Sequence, residues 1–550
     1  MWAGFSVPIA NSKLKLIDNG LCVVNENSIV FAISEERLSR LKHDHRLKNC
    51  FEAWKKFSGQ NNDSFINLGV SSCSDAPWSK KIIPNDLSSL KVRCLPSHHH
   101  SHALSAFILS EFSESLILVI DAGGNTFSSN DKYKWWMVPR EQTTLWMGQN
   151  GNIYLLERKH FNPRETGYGE WFRAFTYFLG WHSHTLSGNT MSLSAFGYPE
   201  AIHSENLWEI TQFGNPGFIK NNPSNPIEMV KSFLKYIGKN NIKARKPNSP
   251  ILYDHKNLSA YLQKSLIDSI TYYFQETSKK YGVSNICLTG GVAQNCVLNA
   301  KVVKVFGINH VTASPFAGDV GQCVGNALYA RQLDISKPAP IKLIDTFLGM
   351  EYSEEEIRSA LIKENLEFED LEDNKLAHLA AEYIEQGNVV AIFRSRSEFG
   401  PRALGNRSVL GDPQKIEVVN RIKEYVKYRE NFMPLAPVIN LSLANELKNK
   451  IPISPFMVFA PDIPKEYRLE FGYSLHIDNT ARIQLVNEKS FLNLIIDSFF
   501  KRTNRRVLIN TSFNKRGEPI VESPADAIKG FLKLKIDVLI IGNHWVVKSN

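Results

Sequence analysis

The chain has 550 residues, 43% hydrophobic and 11% aromatic side chains, and a net charge of +9 from 64 basic and 55 acidic residues. This length exceeds one ordinary core, so we expect at least two domains, and the composition excludes disordered and collagen-like chains. No apolar run approaches the roughly 20 residues that cross a bilayer, and the mild positive charge fits small anionic substrates without demanding nucleic acid.

The cysteines and the N-terminus indicate a compartment. The seven cysteines are odd in number and form no CxxC pair, which indicates free thiols under reducing conditions. The N-terminal stretch lacks a basic segment followed by an apolar core, so no signal peptide is predicted. We therefore expect a cytoplasmic protein without membrane partners, and the sequence leaves open whether it forms a homodimer.

A histidine run is the first marked feature along the chain. Four of five consecutive positions are histidine, and Ser97 before them is a predicted helix N-cap. On such a helix His98 and His102 are four residues apart on one side, and His99 with His102 is the alternative pair. Either pair can bind one metal ion, whereas solvated or individually hydrogen-bonded imidazoles would need no ion.

Short apolar runs that end beside acids or glycines predict buried strands. Residues 115–121 end on Asp121 before two glycines, and Asp319 follows another short strand. Acids at strand ends lie where α/β folds build sites, and two histidines with two aspartates suit Fe(II), Mn(II) or Zn(II). Further runs of this kind lie at 285–291, 388–393 and 536–541.

Helical segments such as 258–280 separate these runs, which predicts an α/β fold. Between one run and the next helix lies Gly290-Gly291, whose backbone N–H groups could hold a phosphate, although a tight turn is the commoner explanation. The stretch 333–350 contains prolines without a helical period, and an acid-rich helix start follows. We place a domain boundary there, near residue 345, and no internal repeat is visible.

Basic residues concentrate in the C-terminal part. Arginines crowd the stretch 394–408 between glycines and a proline, and their rigid forks predict a phosphate or carboxyphosphate pocket. Lys427 is two residues before Arg429, and Ser512 is two residues before Asn514, so on an extended chain both members of each pair face the same side. These residues are predicted either to contact a nucleotide or simply to form polar turns. The basic stretch 499–506 is interpreted as a solvated loop before a strand.

Nine segments, in order along nearly the whole chain, resemble the NodU/CmcH family of O-carbamoyltransferases. They are EERLSRLKHD (35–44), HHHSHALSAF (98–107), VIDAGG (119–124), LTGGVAQNCVLN (288–299), SPFAGDVG (314–321), EFGPRALGNRS (398–408), KYRENF (427–432), TARIQLV (480–486) and NTSFNKRGEPIV (510–521). The resemblance implies a two-lobed TsaD-like domain of the actin-like ATPase superfamily over 1–345 and a smaller YrdC-like α/β domain over 346–550.

The resemblance also implies a divided reaction. The YrdC-like domain would make carbamoyl adenylate from carbamoyl phosphate and ATP, with Mg²⁺ accompanying the nucleotide. The TsaD-like domain would transfer the carbamoyl group to a hydroxyl of a small molecule, such as an antibiotic or another natural product, and release AMP.

Site residues are carried over by position. The implied metal ligands, with Fe(II) expected and Mn or Zn as alternatives, are His98, His102, Asp121 and Asp319. The implied nucleotide and donor contacts are Gly290, Gly291, Asn295, Arg396, Arg402, Arg407, Lys427, Arg429, Ser512 and Asn514. The implied catalytic set is Asp18, Lys42, His99, Arg402, Lys427 and Arg429, with His99 lining the metal pocket and His100 a bystander.

The chain departs from the family at four positions. Ile17 replaces a histidine that the family has at the transfer site, and Asn189 replaces a lysine. Asn125 replaces a glutamate, and Met433 replaces an arginine. Most of these lie on the acceptor side, so an unusual acceptor with a different base is the favoured explanation, because the metal ligands are intact.

Three alternatives remain open. The first is an adenylating or carbamoyl-phosphate-hydrolysing protein with impaired transfer. The second is a tRNA threonylcarbamoyl-type modifier, against which stands the lack of an extended basic face. The third is a catalytically silent binding or scaffold protein.

Overall fold

The computed structural model describes residues 1–7, 18–44, 46–59, 65, 67–72, 91–124, 140–161, 167–208, 225–335 and 339–548. Three sheets and the helices between them make a mixed α/β protein, as predicted. None of the helices in these ranges combines the length and the apolar character needed to cross a membrane.

The first sheet lies at the N-terminus. Its strands are β1 Trp2–Val7, β2 Gly20–Val24, β3 Ile29–Ser34, β4 Asn67–Ser72 and β5 Lys91–Cys94. Their spatial order is β3-β2-β1-β4-β5, with β1, β2 and β3 antiparallel and β1, β4 and β5 parallel.

The second sheet repeats this topology. Its strands are β6 Glu114–Ile120, β7 Arg140–Gln149, β8 Asn152–Phe161, β9 Ile286–Thr289 and β10 Val311–Ala313. Their order is β8-β7-β6-β9-β10, with β6, β7 and β8 antiparallel and β6, β9 and β10 parallel. Two sheets with one strand order make the two lobes expected of an actin-like fold, so the chain contains a structural repeat that its sequence does not display.

The third sheet has eight strands in the C-terminal part. They are β11 Glu369–Asp370, β12 Val390–Phe393, β13 Arg407–Gly411, β14 Pro437–Ile439, β15 Gln484–Leu485, β16 Val507–Ser512, β17 Val538–Ile541 and β18 His544–Val547. Their order is β11-β18-β17-β12-β13-β16-β14-β15. The likeness to YrdC and the domain boundary near 345 stay predictions.

Helices cover the sheets and fill the space between the lobes. In the N-terminal part they are Glu35–Ser39, Lys48–Ser58, His98–Ile108, Tyr168–Phe178, Ser187–Leu193, Pro226–Tyr236, Tyr253–Tyr281, Cys296–Phe306 and Gln322–Asp334. In the C-terminal part they are Glu354–Lys363, Asp373–Gln386, Ile416–Arg421, Leu441–Leu447, Arg468–Phe471, Phe491–Thr503 and Pro524–Lys533.

Two of these helices lie between the lobes and hold the site. The helix Gln322–Asp334 packs so closely on the first sheet that a Cβ atom on Gly4 would lie 2.1 Å from the Ala327 nitrogen. It also accepts a hydrogen bond at the Gln322 carbonyl from Ser101 Oγ, on the helix His98–Ile108, at 2.8 Å. The start of each helix therefore faces the other.

The C-terminal part contacts the N-terminal part through residues 35–44, which we call the bridging segment. Arg37 is buried and donates to the carbonyls of Glu398 and Gly400, each at 3.3 Å. Arg40 donates to the carbonyls of Ile520 at 2.6 Å and Pro519 at 2.8 Å. These bonds hold one short N-terminal segment against two loops of the C-terminal part.

The interpretation of residues 499–506 as a solvated loop was wrong. Residues 499–503 form the last turns of the helix Phe491–Thr503, and residues 504–506 connect this helix to β16. Its arginines form ion pairs that join helices and strands: Arg502 with Glu385 at 2.9 Å, Arg506 with Glu470, and Arg505 with the buried Asp412.

Candidate functional site

A buried histidine–aspartate cluster lies where the two lobes meet. Ser97 caps the helix His98–Ile108 by accepting a hydrogen bond from the His100 nitrogen, as predicted, and this fixes the direction of the first turn. The Nε2 atoms of His98 and His102 lie 3.2 Å apart. Asp121 follows β6, and Asp319 lies just before the helix Gln322–Asp334.

The donor atoms of this cluster converge on one point. The His98 Nε2 atom lies 3.6 Å from Asp121 Oδ2 and 3.5 Å from Asp319 Oδ1, and all four ligand atoms lie within 4.8 Å of one another. Burial alone would raise the pKa of Asp319, but hydrogen bonds from His102 and His98 hold that pKa well below its usual range. Two imidazoles and two carboxylates at these separations suit a divalent ion of intermediate hardness.

His99 lies next to this cluster, with its ring centroid 5.8 Å from that of His98. Its ring is fully buried, its Nδ1 atom lies 2.9 Å from Thr144 Oγ1, and its Cδ2 atom would lie 2.8 Å from a Cβ atom on Gly124. Thr144 therefore engages one ring nitrogen of His99, and the role of His99 in lining the metal pocket stays a prediction. His100 packs edge-on against Trp146 and Tyr329, as a bystander would.

The glycine turn after β9 supports the metal ligands. Gly290 has a φ of +86°, and a Cβ atom there would lie 2.4 Å from the Ile120 carbonyl oxygen, so only glycine fits. The Gly291 N–H donates to Asp121 Oδ2 at 3.2 Å. Asn295 caps the helix Cys296–Phe306 and exchanges two hydrogen bonds with Gln263, which argues against its predicted contact with the nucleotide.

A second polar cluster lies in the C-terminal part, where the structure brings together four predicted residues. Lys427 is buried, and its Nζ atom donates to Ser512 Oγ at 2.9 Å and to Asn514 Oδ1 at 2.7 Å, as well as to the carbonyls of both residues. Burial and the charge of Arg429 hold the pKa of Lys427 well below its usual range. Arg429 lies beside them, 3.5 Å from Thr511 Oγ1.

Three arginines around this cluster, Arg402, Arg429 and Arg482, repel one another, and no nearby carboxylate in the described part of the chain neutralises them. Burial lowers the pKa of Arg402 to about 9, and the charges of Arg482 and Arg429 act in the same direction. Burial and the charge of Arg482 lower the pKa of Arg429 to about 10. Within the described part of the chain, none of the three forms an ion pair with a carboxylate. Such a concentration of unneutralised guanidinium groups is suited to a polyanion.

Arg482 is a site residue that sequence reasoning missed. It lies in TARIQLV, a matching segment to which no role was assigned, and it follows no strand or glycine turn that would mark it. Only the fold brings it beside Arg402, eighty positions earlier in the chain.

Arg396 and Arg407 do not belong to this cluster. The Arg407 guanidinium is buried over the Phe393 ring and donates to the carbonyls of Arg394, Asn406 and Ser395. Arg396 donates to the carbonyls of Gly349 at 3.0 Å and Val30 at 2.9 Å. These main-chain contacts argue against the predicted contacts with phosphate and give both arginines a structural role.

The two remaining predicted residues are Lys42, in the bridging segment, and Asp18, which lies just before β2. Lys42 Nζ donates to Glu36 Oε1 at 2.8 Å, and its charge contributes to lowering the pKa of Lys427 in the C-terminal part. Asp18 lies against His43, whose Nδ1 atom is 2.8 Å from Asp18 Oδ1. His43 is a further residue that sequence reasoning missed, because its partner lies 25 residues upstream.

The departures from the family pattern are only partly visible. Asn189 is buried in the helix Ser187–Leu193, and its amide Nδ2 has no hydrogen-bond acceptor among the described residues. Met433 lies in a turn, and its main-chain N–H donates to the Glu430 carbonyl at 3.0 Å. Ile17 and Asn125 lie outside the described residues.

Comparison with known proteins gives two family profiles and several relatives. The profile described as "Carbamoyltransferase N-terminus" matches residues 79–328, and "Carbamoyltransferase C-terminus" matches residues 381–548. The chain is 31% identical to "Nodulation protein NolNO" of Sinorhizobium fredii over 96% of this chain and 79% of that protein. It is 28% identical to "Uncharacterized protein sll1178" of Synechocystis over 97% and 95% of the two chains. It is 26% identical to the "3'-hydroxymethylcephem-O-carbamoyltransferase" of Amycolatopsis lactamdurans over 48% and 49%.

Proposed function

The chain belongs to the carbamoyltransferase family, and we propose that it is an ATP-dependent O-carbamoyltransferase that acts on a hydroxyl of a small molecule. The acceptor class we propose is a natural product. The donor is carbamoyl phosphate, activated as carbamoyl adenylate in the C-terminal part and used at the histidine–aspartate cluster in the N-terminal part.

The observation that carries this proposal is the arginine cluster beside Lys427. Three arginines without carboxylate partners repel one another and destabilise the ligand-free protein, and a bound anion would offset this cost. Carbamoyl phosphate and ATP are both polyanions, and two polyanions that meet in one pocket need several fixed cations. A site for one carboxylate would not need this concentration of charge.

The chemistry of activation follows from these groups. Water hydrolyses carbamoyl phosphate to phosphate and carbamate, and a carbamate oxygen then attacks the α-phosphorus of ATP and displaces pyrophosphate. Arg402, Arg429 and Arg482 neutralise the phosphate oxygens during both steps. Lys427, held by the oxygens of Ser512 and Asn514, supplies a fixed point charge whose position needs no reorganisation.

The transfer step is assigned to the other cluster. Fe(II), or Mn(II) or Zn(II) in its place, would be held by His98, His102, Asp121 and Asp319 and would supply Lewis-acid stabilisation of negative charge. Gly291 orients Asp121 through its N–H, so the ligand set depends on the glycine turn. Lys42 of the bridging segment, and Asp18, which lies against His43 of the same segment, supply further charge near the clusters.

A protein with impaired transfer is the second candidate. An intact set of four ligands, three of them buried, argues against it, because burying carboxylate and imidazole groups together costs stability that only a bound cation would offset. A tRNA modifier would need an extended basic face. Arginines of the basic stretch 499–506 form ion pairs within the protein, which argues against such a face there.

The decisive experiment is incubation of the full chain with ATP, Mg²⁺, carbamoyl phosphate and Fe(II), followed by mass spectrometry. We expect carbamoyl adenylate and pyrophosphate, dependent on both substrates. Arg402→Ala should abolish adenylate formation, whereas His102→Ala should spare it and abolish transfer. Absence of the adenylate with freshly prepared protein would refute the proposal, and equal loss of both steps in His102→Ala would refute the division between the clusters.

A further inference from the structure

Transfer to a hydroxyl needs a group that accepts the hydroxyl proton, and none of the roles assigned above supplies one. His43 of the bridging segment forms a partly exposed imidazole–carboxylate pair with Asp18. His43 Nδ1 lies 2.8 and 3.0 Å from the two carboxylate oxygens of Asp18. A carboxylate that holds one imidazole nitrogen fixes the tautomer and orientation of the ring and makes the ring a stronger base.

This pair is held rigidly. Glu36 accepts hydrogen bonds from the His43 N–H at 3.0 Å and from Lys42 Nζ at 2.8 Å, so one carboxylate fixes both neighbours. The Asn19 main-chain N–H donates to the Asp44 carbonyl at 3.3 Å, which links the residue after Asp18 to the bridging segment. His43 has a φ of +58°, a left-handed conformation that a non-glycine residue adopts only where its surroundings enforce it.

Residues next to the pair in sequence approach both clusters. Two residues after Asp18, a Cβ atom on Gly20 would lie 3.0 Å from a side-chain methyl of Val320, the residue after the metal ligand Asp319. On the other side, Lys42 lies close enough to Lys427 for its charge to lower the pKa of that lysine. The segments that carry Asp18 and His43 therefore each reach toward one of the two clusters.

We propose that His43 is the general base of the transfer step and that Asp18 is the residue that positions it. The inference rests on the proposed function. The acceptor oxygen forms a bond to the carbamoyl carbon, the bond from that carbon to the adenylate phosphate oxygen breaks, and AMP leaves. The hydroxyl proton passes to His43 Nε2, since Asp18 engages Nδ1, and then to solvent.

The charged groups around the ring are Asp18, Glu36 and Lys42. The hydrogen bond from His43 to Asp18 outweighs burial and the charge of Lys42, so the pKa of His43 lies above its ordinary value of about 6.5. A base works when deprotonated, so the transfer rate should rise with pH through this raised pKa. The pH profile of adenylate formation should lack this limb.

The test uses the full chain with ATP, Mg²⁺, carbamoyl phosphate and Fe(II), and supplies trifluoroethanol as the probe hydroxyl. Quenched samples are analysed for carbamoyl adenylate and for trifluoroethyl carbamate. His43→Ala and His43→Asn should form adenylate within about threefold of wild type but lose about 100-fold or more in the carbamate. Added imidazole should restore carbamate formation in His43→Ala and not in His102→Ala, whose level defines transfer without the metal site.

Asp18→Asn keeps a hydrogen-bonding group but removes the charge, and should move the rising limb of the pH profile to lower pH. A wild-type transfer rate in His43→Ala, or no response to imidazole, would overturn the role of His43. No adenylate from wild type, or wild-type carbamate no higher than in His102→Ala, would overturn the proposed function itself and the base with it. That comparison involves no His43 variant, so the two failures are distinguishable.

Discussion

At the scale of single residues, the site is marked by groups whose charges are left uncompensated. Arg402, Arg429 and Arg482 lie together without acidic partners, and Lys427 is buried among neutral oxygens. Each arrangement costs stability in the free protein and is useful only when an anion is bound.

Arg482→Met should therefore raise the stability of the ligand-free protein, by about 1 kcal/mol, because one member of a like-charged cluster is removed while its aliphatic volume is kept. The same change should abolish the increase in melting temperature caused by ATP. Arg358→Met is the control, because Arg358 is exposed and paired with Asp370, and it should keep the ATP response. Thermal denaturation with and without ATP measures both. An unchanged ATP response in Arg482→Met would contradict the assignment.

The histidine run gives a second prediction at this scale. His102→Ala removes one of four ligand atoms and should abolish stoichiometric binding of Fe(II) or Zn(II), measured by elemental analysis after dialysis. His100→Phe keeps the edge-on packing against Trp146 and should bind metal as wild type does. Burial lowers the pKa of His100 to about 4, so this imidazole carries no charge at neutral pH that the change would remove. Loss of metal in both variants would indicate that the helix, and not the ligand, was affected.

Side-chain assignments were predictable only where a local pattern carries them. Helical spacing put His98 and His102 on one side, and the structure brings them together. Arginines offered no such pattern, because sequence cannot tell a guanidinium that meets phosphate from one, such as Arg407, that satisfies main-chain carbonyls. The role of His43 was not predicted for a related reason, since its carboxylate partner, Asp18, lies 25 residues earlier in the chain.

At the scale of elements, turns decide the geometry of the metal ligands. The glycine turn between β9 and the helix Cys296–Phe306 contacts both the end of β6 and Asp121. Local sequence predicted this turn and its neighbouring strands well, because buried strands appear as short apolar runs with glycine at their ends.

Gly290→Ala should lower the free energy of unfolding by about 2 kcal/mol or more, because the new methyl group meets the Ile120 main chain at a φ that alanine avoids. Displacement of Asp121 should weaken metal binding as well. Gly188→Ala is the control: it lies in the helix Ser187–Leu193, no atom lies within 4 Å of the new Cβ, and alanine should gain up to about 1 kcal/mol. Urea denaturation of both variants checks the difference, and equal effects would contradict the packing argument.

At the scale of the whole molecule, the two clusters are parts of one structure. Strand pairing is non-local, so neither the shared strand order of the two N-terminal sheets nor the contacts of the bridging segment could be predicted from the sequence. The segment after the predicted boundary also pairs with the first sheet, since the Ala32 N–H donates to the Leu348 carbonyl at 2.9 Å.

A fragment of residues 346–550 should consequently be unstable on its own and form carbamoyl adenylate poorly. It loses the buried Arg37 and its bonds to the carbonyls of Glu398 and Gly400, together with Arg40 and Lys42. Co-expression with residues 1–345 should restore both a cooperative unfolding transition and adenylate formation. Full activity of the isolated fragment would contradict the idea that the bridging segment completes this site.

The bridging segment also bears on how such a protein can change. Arg40 of this segment donates to a carbonyl of the C-terminal part and His43 of the same segment lies against Asp18, so selection on donor chemistry and selection on acceptor choice both act on these ten residues. New acceptors must then be accommodated elsewhere, on surfaces that touch only the metal side, such as the helix Tyr168–Phe178 beside Asp121. A mutant library directed at that helix should yield altered acceptor range with intact activation, whereas one directed at residues 35–44 should yield mostly inactive variants.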